Sequence, residues 1–274
     1  MRKSRERSLL FPFMEGRMKV ISHDLGNFEE IVILPLADWH IGDPASDGKR
    51  ITEWLDYLKR TPNAFAILNG DLMNCAIRNS VSDVYTDLSP MEQLKQCVKL
   101  FEPIKEKLLA VNPGNHELRI YRNDGLDLTQ IMCDQLCIGD RYSPASTLLF
   151  VRFGKWKTAG RHGEPVRYSI YCVHGSGAGR TEGTKVNRLM QLASIVDADV
   201  YIHSHLHTPA IVKTSFFRTS PRNGTVEQID KLFVNTAAAL NYGGYGELAS
   251  FKPASTDTPL IRLNGHRRGM TAEL

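Results

Sequence analysis

The sequence predicts an α/β fold in which an α/β first half and a strand-rich second half pack sheet against sheet, with helices outside. In the first half, apolar runs of strand length alternate with segments of helical periodicity, which is the pattern of strand-helix-strand units. From residue 148 onwards the apolar runs are short and rich in β-branched and aromatic residues, as in strands. The 274 residues suffice for one large domain or two small ones. Because no linker or internal repeat is visible, we expect a single domain over residues 18–274.

The elements of the first half are predicted from its apolar runs and from the residues that end them. Residues 31–34 are apolar without alternation, as in a strand that is buried on both faces. Apolar residues then recur at helical spacing from Ile51 to Leu58, and Thr61-Pro62 ends that helix. The sequence thus predicts strands at 20–21, 31–34, 65–68 and 108–111, and helices around 51–58, from Pro90 to 101 and at 125–136.

The second half contains more predicted strands than helices. Its one good helical pattern covers residues 185–196. The remaining apolar runs are of strand length, and they are separated by polar or glycine-containing segments. They predict strands at 148–153, 168–173, 200–202, 211–212, 232–234 and 260–263.

Composition excludes several classes of protein. Five cysteines without paired spacing argue against a disulfide framework and for a reducing compartment, so we expect a cytoplasmic protein. No apolar run approaches the ~20 residues of a membrane span, and we expect no membrane partner. The net charge of +4 is scattered, which permits an anionic substrate without demonstrating nucleic-acid binding. No obligate protein partner is evident.

The N-terminus is interpreted as a flexible leader. Residues 1–7 are strongly charged, and the apolar stretch that follows is short and interrupted by Pro12 and Glu15. A secretory signal needs a longer uninterrupted apolar region. We therefore expect residues 1–17 to precede the domain as a leader.

Five predicted apolar runs are followed by side chains of metal-binding types. In open α/β sheets, sites form outside the carboxyl ends of strands, where the loops converge. Each cluster alone is explained by a turn, a cap or a structural histidine. Together they supply carboxylates, an amide and several imidazoles, which suits borderline divalent metals. The clusters are Asp38-Trp39-His40, Gly70-Asp71, Gly114-Asn115-His116-Glu117, Val173-His174-Gly175 and Ser204-His205-Leu206-His207.

In order and spacing these clusters resemble the motif set of the calcineurin-like metallophosphoesterases, over about residues 32–209. The resemblance implies a four-layer α/β/β/α sandwich of two mixed β-sheets packed face to face, with helices outside. It also implies a binuclear metal-dependent phosphoesterase, in which a metal-bridging hydroxide attacks the phosphate ester in line. One departure is visible, because Ser204 stands where the family usually has glycine before the first histidine of its last block.

The resemblance assigns a role to each matching residue. Asp71 and His116 are the expected catalytic residues, and His116 would contact the phosphate and protonate the leaving oxygen. Substrate binding is expected from Asn115 and His116. Independently of the resemblance, Arg119 and Arg180 beside the motif loops are candidate contacts to substrate phosphates, with solvated surface charge as the alternative. The expected cofactors are two divalent ions, Mn²⁺ first, with Fe, Zn, Mg, Ni or Co as alternatives. The implied ligands are Asp38, His40 and His207 for one ion, Asn115, His174 and His205 for the other, and Asp71 for both.

Three functions stay open at this point. Arginine and tyrosine residues flank the motif loops, and the motif layout is distantly similar to the DNA-repair exonuclease branch, which favours a phosphodiesterase or nuclease acting on DNA or RNA. The alternatives are a phosphomonoesterase, acting on proteins or small molecules, and a non-catalytic interaction scaffold with this fold.

Glu117 is interpreted as a partner of Arg119 or a helix start, in preference to a residue that supports the metal ligands.

Overall fold

The computed structural model describes residues 18–77, 88–156, 163–177, 179–243, 247, 250 and 252–274. The predicted leader, residues 1–17, lies outside them. The described strands are β1 (Lys19–Asp24), β2 (Glu30–Leu36), β3 (Ala64–Asn69), β4 (Leu108–Asn112), β5 (Ser146–Trp156), β6 (Glu164–Val173), β7 (Val200–His203), β8 (Ala210–Ser220), β9 (Thr225–Asn235), β10 (Leu260–Asn264) and β11 (Met270–Glu273). The described α-helices are α1 (Gly48–Arg60), α2 (Pro90–Phe101), α3 (Glu117–Asp124), α4 (Leu128–Gln135) and α5 (Glu182–Gln191).

The strands form two mixed sheets. The five-stranded sheet has the order β11-β10-β2-β3-β4, and β2, β3 and β4 run parallel. The six-stranded sheet has the order β1-β5-β6-β7-β9-β8, and β6, β7 and β9 run parallel. Parallel strands end at one edge of their sheet, so the loops after β2, β3 and β4 are neighbours, as are those after β6 and β7.

Burial on both faces builds four layers. In β2, Ile31 and Ile33 lie in the core between the two sheets, whereas Val32 and Leu34 pack towards the helices α1, α2 and α4. On the far side of the six-stranded sheet, Tyr201 and other β-sheet residues pack against α5. The predicted four-layer α/β/β/α sandwich is confirmed, and it explains why the apolar run of β2 does not alternate.

Local signals position the main helices as expected. The Asp47 side chain accepts hydrogen bonds from the first backbone N–H groups of α1. Ser89 and Glu92 form a capping box at the start of α2, and Pro90 occupies its first turn. These signals satisfy the free N–H groups of the first turn. α2 begins at Pro90, as predicted, whereas α1 begins at Gly48, ahead of the predicted 51–58.

The prediction of a helix over residues 125–136 is wrong about where that helix begins. Gly125 is the left-handed C-cap of α3, with a φ angle of 71°, and Asp127 then caps the separate helix α4. The pattern missed α3 because the helix is short and largely polar. The helix predicted over 185–196 begins earlier, at Glu182, and becomes a 3₁₀-helix over Leu192–Ser194.

Strand lengths and sheet membership also differ from the simple division into halves. The hairpin of β8 and β9 is much longer than the predicted strands 211–212 and 232–234. The apolar pattern missed its outer part, because that part is polar and exposed. β1 pairs with β5 in the six-stranded sheet, and β10 pairs with β2 in the five-stranded sheet. Each sheet therefore contains strands from both ends of the chain. Among the described residues, no helix has the length and apolar character needed to cross a bilayer.

Candidate metal centre

The five metal-type clusters meet at one edge of the molecule, where β2, β3, β4, β6 and β7 end. The loops after β2 and β3 continue side by side beyond the sheet. The backbone N–H of Asp38 donates to the carbonyl of Gly70 at 3.0 Å, and that of His40 donates to the carbonyl of Asp71 at 3.0 Å. These hydrogen bonds hold the first two clusters in register.

The predicted ligands converge in overlapping groups. Within each group, one nitrogen or oxygen atom per residue lies within 4.8 Å of the others. Asp71 belongs to two of the groups, as a residue shared between two ions would. Asn115 joins the last group, because its Oδ1 atom lies 3.1 Å from Nε2 of His174. The groups are Asp38, His40 and His207; His40, Asp71 and His116; and Asp71, His174 and His205.

The histidine orientations fit divalent cations. Nδ1 of His174 donates to the backbone carbonyl of Asn69 at 2.8 Å, so in the neutral ring Nε2 carries a lone pair. That Nε2 faces the Asp71 carboxylate at 3.2 Å. The Nε2 atoms of His40 and His207 face each other at 3.3 Å. Such convergence of acceptor atoms is expected where a cation belongs between them.

The Asp38 carboxylate supports the same interpretation. The residue is fully buried, and its Oδ1 accepts no hydrogen bond from the described residues. Oδ1 faces Nε2 of His207 at 3.2 Å, while Oδ2 accepts from the backbone N–H of His205 at 3.1 Å. A buried carboxylate oxygen without a hydrogen bond is costly unless a cation compensates it. The donor set therefore fits a metal centre.

The backbone at the centre is strained. Positive φ angles cost non-glycine residues of the order of 1–3 kcal/mol each, and they concentrate at functional sites. The strain aims the ligand side chains inward, and the surrounding hydrogen bonds maintain it. The strained residues are Asp38, His40, Asp71, His205 and His207, with φ angles between 46° and 69°.

Two glycines allow the loops after β3 and β4 to touch. Gly70 has a φ angle of 89°. A Cβ atom there would lie 2.5 Å from the backbone nitrogen of Gly114. A Cβ atom on Gly114 would collide with the Asp71 carboxylate. Only glycine permits this approach of backbone to backbone.

Electrostatics keep the shared carboxylate ionised. Burial raises the pKa of Asp71, but the neighbouring His174, His116 and His40 outweigh burial and hold that pKa well below its usual range. Burial lowers the pKa of His174, but the Asp71 carboxylate outweighs it and raises that pKa to about 10. Burial together with His116 depresses the pKa of His40. The ionised carboxylate of Asp71 suits metal ligation, and a metal ion that binds Nε2 of His174 would displace the proton that Asp71 stabilises on that ring.

Glu117 has a supporting role that the favoured sequence interpretation missed. It begins α3, as one interpretation expected, but its buried carboxylate turns inward. It accepts backbone N–H groups from Asp71 at 3.0 Å, Met73 at 2.9 Å and Gly114 at 2.8 Å. Burial and the nearby Asp71 raise the pKa of Glu117 to about 7. Glu117 thus ties the loop after β3 to the loop after β4, and the only sequence signal is its place in the third cluster.

Of the residues predicted to bind substrate, His116 and Arg119 contact each other at the metal centre, whereas Arg180 does not reach it in the described structure. Nδ1 of His116 donates to the carbonyl of Asn74 at 2.8 Å, and Arg119 Nη2 donates to Nε2 of His116 at 2.9 Å. Arg119 therefore lies against the predicted catalytic histidine. Arg180 is exposed before α5, and no hydrogen bond or ion pair between described residues links it to the centre. Lys185 reaches closer, because Nζ lies 2.5 Å from Oγ1 of Thr208, the residue after His207.

Three solved structures show what kinds of protein this chain is similar to. Vacuolar protein sorting 29 from Cryptosporidium parvum is similar over 90% of this chain and 98% of its own, with 14% identity and a TM-score of 0.45. A metallophosphoesterase from Sphaerobacter thermophilus is similar over 85% and 84%, with 12% identity and a TM-score of 0.38. A predicted phosphoesterase from Streptococcus pneumoniae is similar over 86% and 83%, with 15% identity and a TM-score of 0.34.

The sequence comparison is more decisive than these structural ones. No curated protein matches the chain at the level of sequence. A family model described as calcineurin-like phosphoesterase matches residues 32–209, the span that contains all five clusters. The chain therefore belongs to the calcineurin-like phosphoesterases, a family of phosphate-ester hydrolases that use a binuclear divalent-metal centre.

Proposed function

We propose that this protein is a binuclear metal-dependent phosphodiesterase or nuclease. The observation that carries the proposal is the convergence of acceptor atoms on either side of Asp71. Two ions would share the Asp71 carboxylate, since its two oxygens can contact both. The proposed ligands are Asp38, His40 and His207 on one side, Asn115, His174 and His205 on the other, and Asp71 between them.

The chemistry needs both the ions and the side chains around them. Two divalent ions, when bound, lower the pKa of water and neutralise the negative charge that develops on phosphorus. His116 is proposed to serve the leaving oxygen, because its Nδ1 proton is held by the carbonyl of Asn74 and its Nε2 is turned towards the centre. Arg119 is proposed to bind a substrate phosphate, which would free the Nε2 atom of His116 that it now contacts.

Several finer assignments remain proposals. Mn²⁺ is proposed as the metal, although ligands of this kind also accept Fe, Zn, Mg, Ni or Co. A diester substrate, DNA or RNA first, is supported by Arg119 beside His116 and by Lys185 beside the last histidine block. Five free thiols support a cytoplasmic location. The single domain over residues 18–274 stays a prediction.

A paired hydrolysis assay tests the proposal. The metal-stripped protein is supplied with Mn²⁺ and given bis-p-nitrophenyl phosphate in one series and p-nitrophenyl phosphate in the other. We expect diester hydrolysis in the wild type and none in Asp71→Asn. Activity on the monoester alone would refute the diesterase assignment. No activity on either ester, together with no bound metal, would refute the enzyme and favour a non-catalytic scaffold.

The natural substrate class requires a second screen. Labelled single-stranded DNA, double-stranded DNA, RNA and cyclic nucleotides are incubated with the Mn²⁺-loaded protein, and Asp71→Asn serves as the blank. We expect cleavage of a nucleic acid. Cleavage of cyclic nucleotides alone would contradict the nuclease assignment while leaving the phosphodiesterase intact.

A further inference from the structure

A hydrogen bond joins the two sheets directly beneath the metal centre. Asn69 is the last residue of β3 in the five-stranded sheet, and Ser204 follows β7 in the six-stranded sheet. Nδ2 of Asn69 donates to Oγ of Ser204 at 2.7 Å and to the carbonyl of Val173 at 2.9 Å. Asn69 and Ser204 are both fully buried. Neither side chain can exchange this bond for water.

The bond is the end of a buried polar row in an otherwise apolar interface. Oδ1 of Asn69 accepts from Nδ2 of Asn112 at 2.9 Å, and Oδ1 of Asn112 accepts from Oγ1 of Thr147 at 2.7 Å. The surrounding inter-sheet core is hydrophobic. A buried polar group that loses its partner costs about 1–3 kcal/mol. The row therefore favours one relative position of the two sheets over shifted alternatives.

The Asn69–Ser204 end of this row is attached to the proposed metal ligands. Asn69 directly precedes Gly70-Asp71, and its carbonyl accepts the Nδ1 proton of His174 at 2.8 Å. Ser204 directly precedes His205, and its backbone N–H donates to the carbonyl of His174 at 3.0 Å. One side-chain contact thus connects the three segments that carry Asp71, His174 and His205.

The serine is not required by the backbone. The described non-glycine residues with positive φ include His205 and His207 but not Ser204. The left-handed backbone that favours glycine is therefore not used at this position. The distinctive contribution of Ser204 is its hydroxyl, which is the acceptor that Asn69 meets across the interface.

We propose that Ser204, in place of the glycine usual in this family, is a positioning residue that with Asn69 sets Asp71, His174 and His205 for the second metal ion. The inference rests on the proposed binuclear function. Removing the hydroxyl leaves one N–H of Asn69 without its acceptor, so the loop before His205 is no longer held to the end of β3. The affinity for the second ion falls most, because His174 and His205 adjoin the lost bond, whereas the affinity for the first ion falls less, because only His207 of its ligands lies on the loosened loop.

Metal titration tests this inference without measuring catalysis. Mn²⁺ is titrated calorimetrically into metal-stripped wild type, Ser204→Ala and Ser204→Gly, and amide hydrogen exchange of residues 205–207 is followed in the metal-free proteins. We expect one of the two Mn²⁺ binding steps to lose about 10–100-fold in affinity, the range seen when a partner of a ligand is removed. The other binding step loses less affinity, and exchange at 205–207 becomes faster.

Thr147→Val is the matched control. It breaks a buried hydrogen bond of the same row at the end remote from the ligands, so it lowers the melting temperature without changing either Mn²⁺ affinity. Equal Mn²⁺ binding by wild type and both Ser204 variants would overturn the inference but leave the proposed function standing. An equal loss of affinity in Thr147→Val would reduce Ser204 to general stability and overturn it too. A wild type that binds no Mn²⁺ would overturn the proposed function and the inference together.

Discussion

Replacing Glu117 by glutamine tests how strongly one carboxylate holds the two glycine loops of the metal centre. One oxygen of Glu117 accepts the N–H groups of Asp71 and Gly114, and the other accepts the N–H of Met73. A glutamine oxygen can keep the first two bonds. Its NH₂ group then faces the N–H of Met73, and two donors cannot bond.

The magnitude follows from these contacts. A hydrogen bond to a charged group contributes about 1.5–3 kcal/mol, and a buried N–H without a partner costs about 1–3 kcal/mol. A neutral amide is easier to bury than a carboxylate, which offsets part of the loss. We expect Glu117→Gln to lower the free energy of unfolding by about 2–4 kcal/mol, a large effect for a single substitution.

The assay is urea unfolding of the metal-stripped protein, because bound ions would add their own stabilisation. It is done well above pH 7, where the Glu117 carboxylate with its pKa of about 7 is ionised. Glu106→Gln is the matched control, since the Glu106 side chain is 77% exposed and its one ion pair among the described residues is with Arg141. It should change the free energy of unfolding by less than about 0.5 kcal/mol. If Glu117→Gln is as stable as Glu106→Gln, the reasoning about the three N–H groups is wrong.

Three further predictions concern catalysis, packing and pH. His116→Ala should lower turnover by about 10²–10⁴-fold with both ions still bound, as measured by diester hydrolysis and metal analysis; loss of the ions would contradict its assigned role. Gly114→Ala should abolish Mn²⁺ binding, because the added Cβ atom collides with the Asp71 carboxylate. In the control Gly183→Ala the added Cβ atom meets no neighbour, and the better helix propensity of alanine in α5 should stabilise the fold by about 0.5–1 kcal/mol. Burial holds the pKa of His23 below its usual value, so at low pH this group binds more protons in the unfolded chain, and it destabilises the folded protein as the pH falls below about 6.5. Between pH 7.5 and 5.5, His23→Gln should therefore lose less free energy of unfolding in urea than wild type does. Equal losses would refute this.

Most of the site was predictable from the sequence because its signals are local. An apolar run followed directly by Asp71, or by His205 and His207, marks a strand end whatever the rest of the chain does. The start of α2 at Pro90 was equally local, since helix-start signals act within one turn. The family and the two-sheet sandwich were predicted correctly, and the clusters do lie together, whereas their ligation of metal stays a prediction.

Helix boundaries near polar segments were predicted less well. Gly125 ends α3 and lies just before the cap of α4. In the sequence it was interpreted as the start of one helix, because nothing in the local pattern marks the helix before it. The outer parts of β8 and β9 lack apolar alternation, so their length could not be recognised. In both places weak periodicity left the boundary to tertiary packing.

By itself the sequence determined the residue types at the strand ends, and through them the family. Tertiary structure alone decided that β1 joins β5, that β10 joins β2, and that Glu117 turns inward. It also decided that Ser204 meets Asn69 across the two sheets. Periodicity and capping reflect interactions within a few residues, whereas these contacts join residues 46 to 234 positions apart and leave no local pattern.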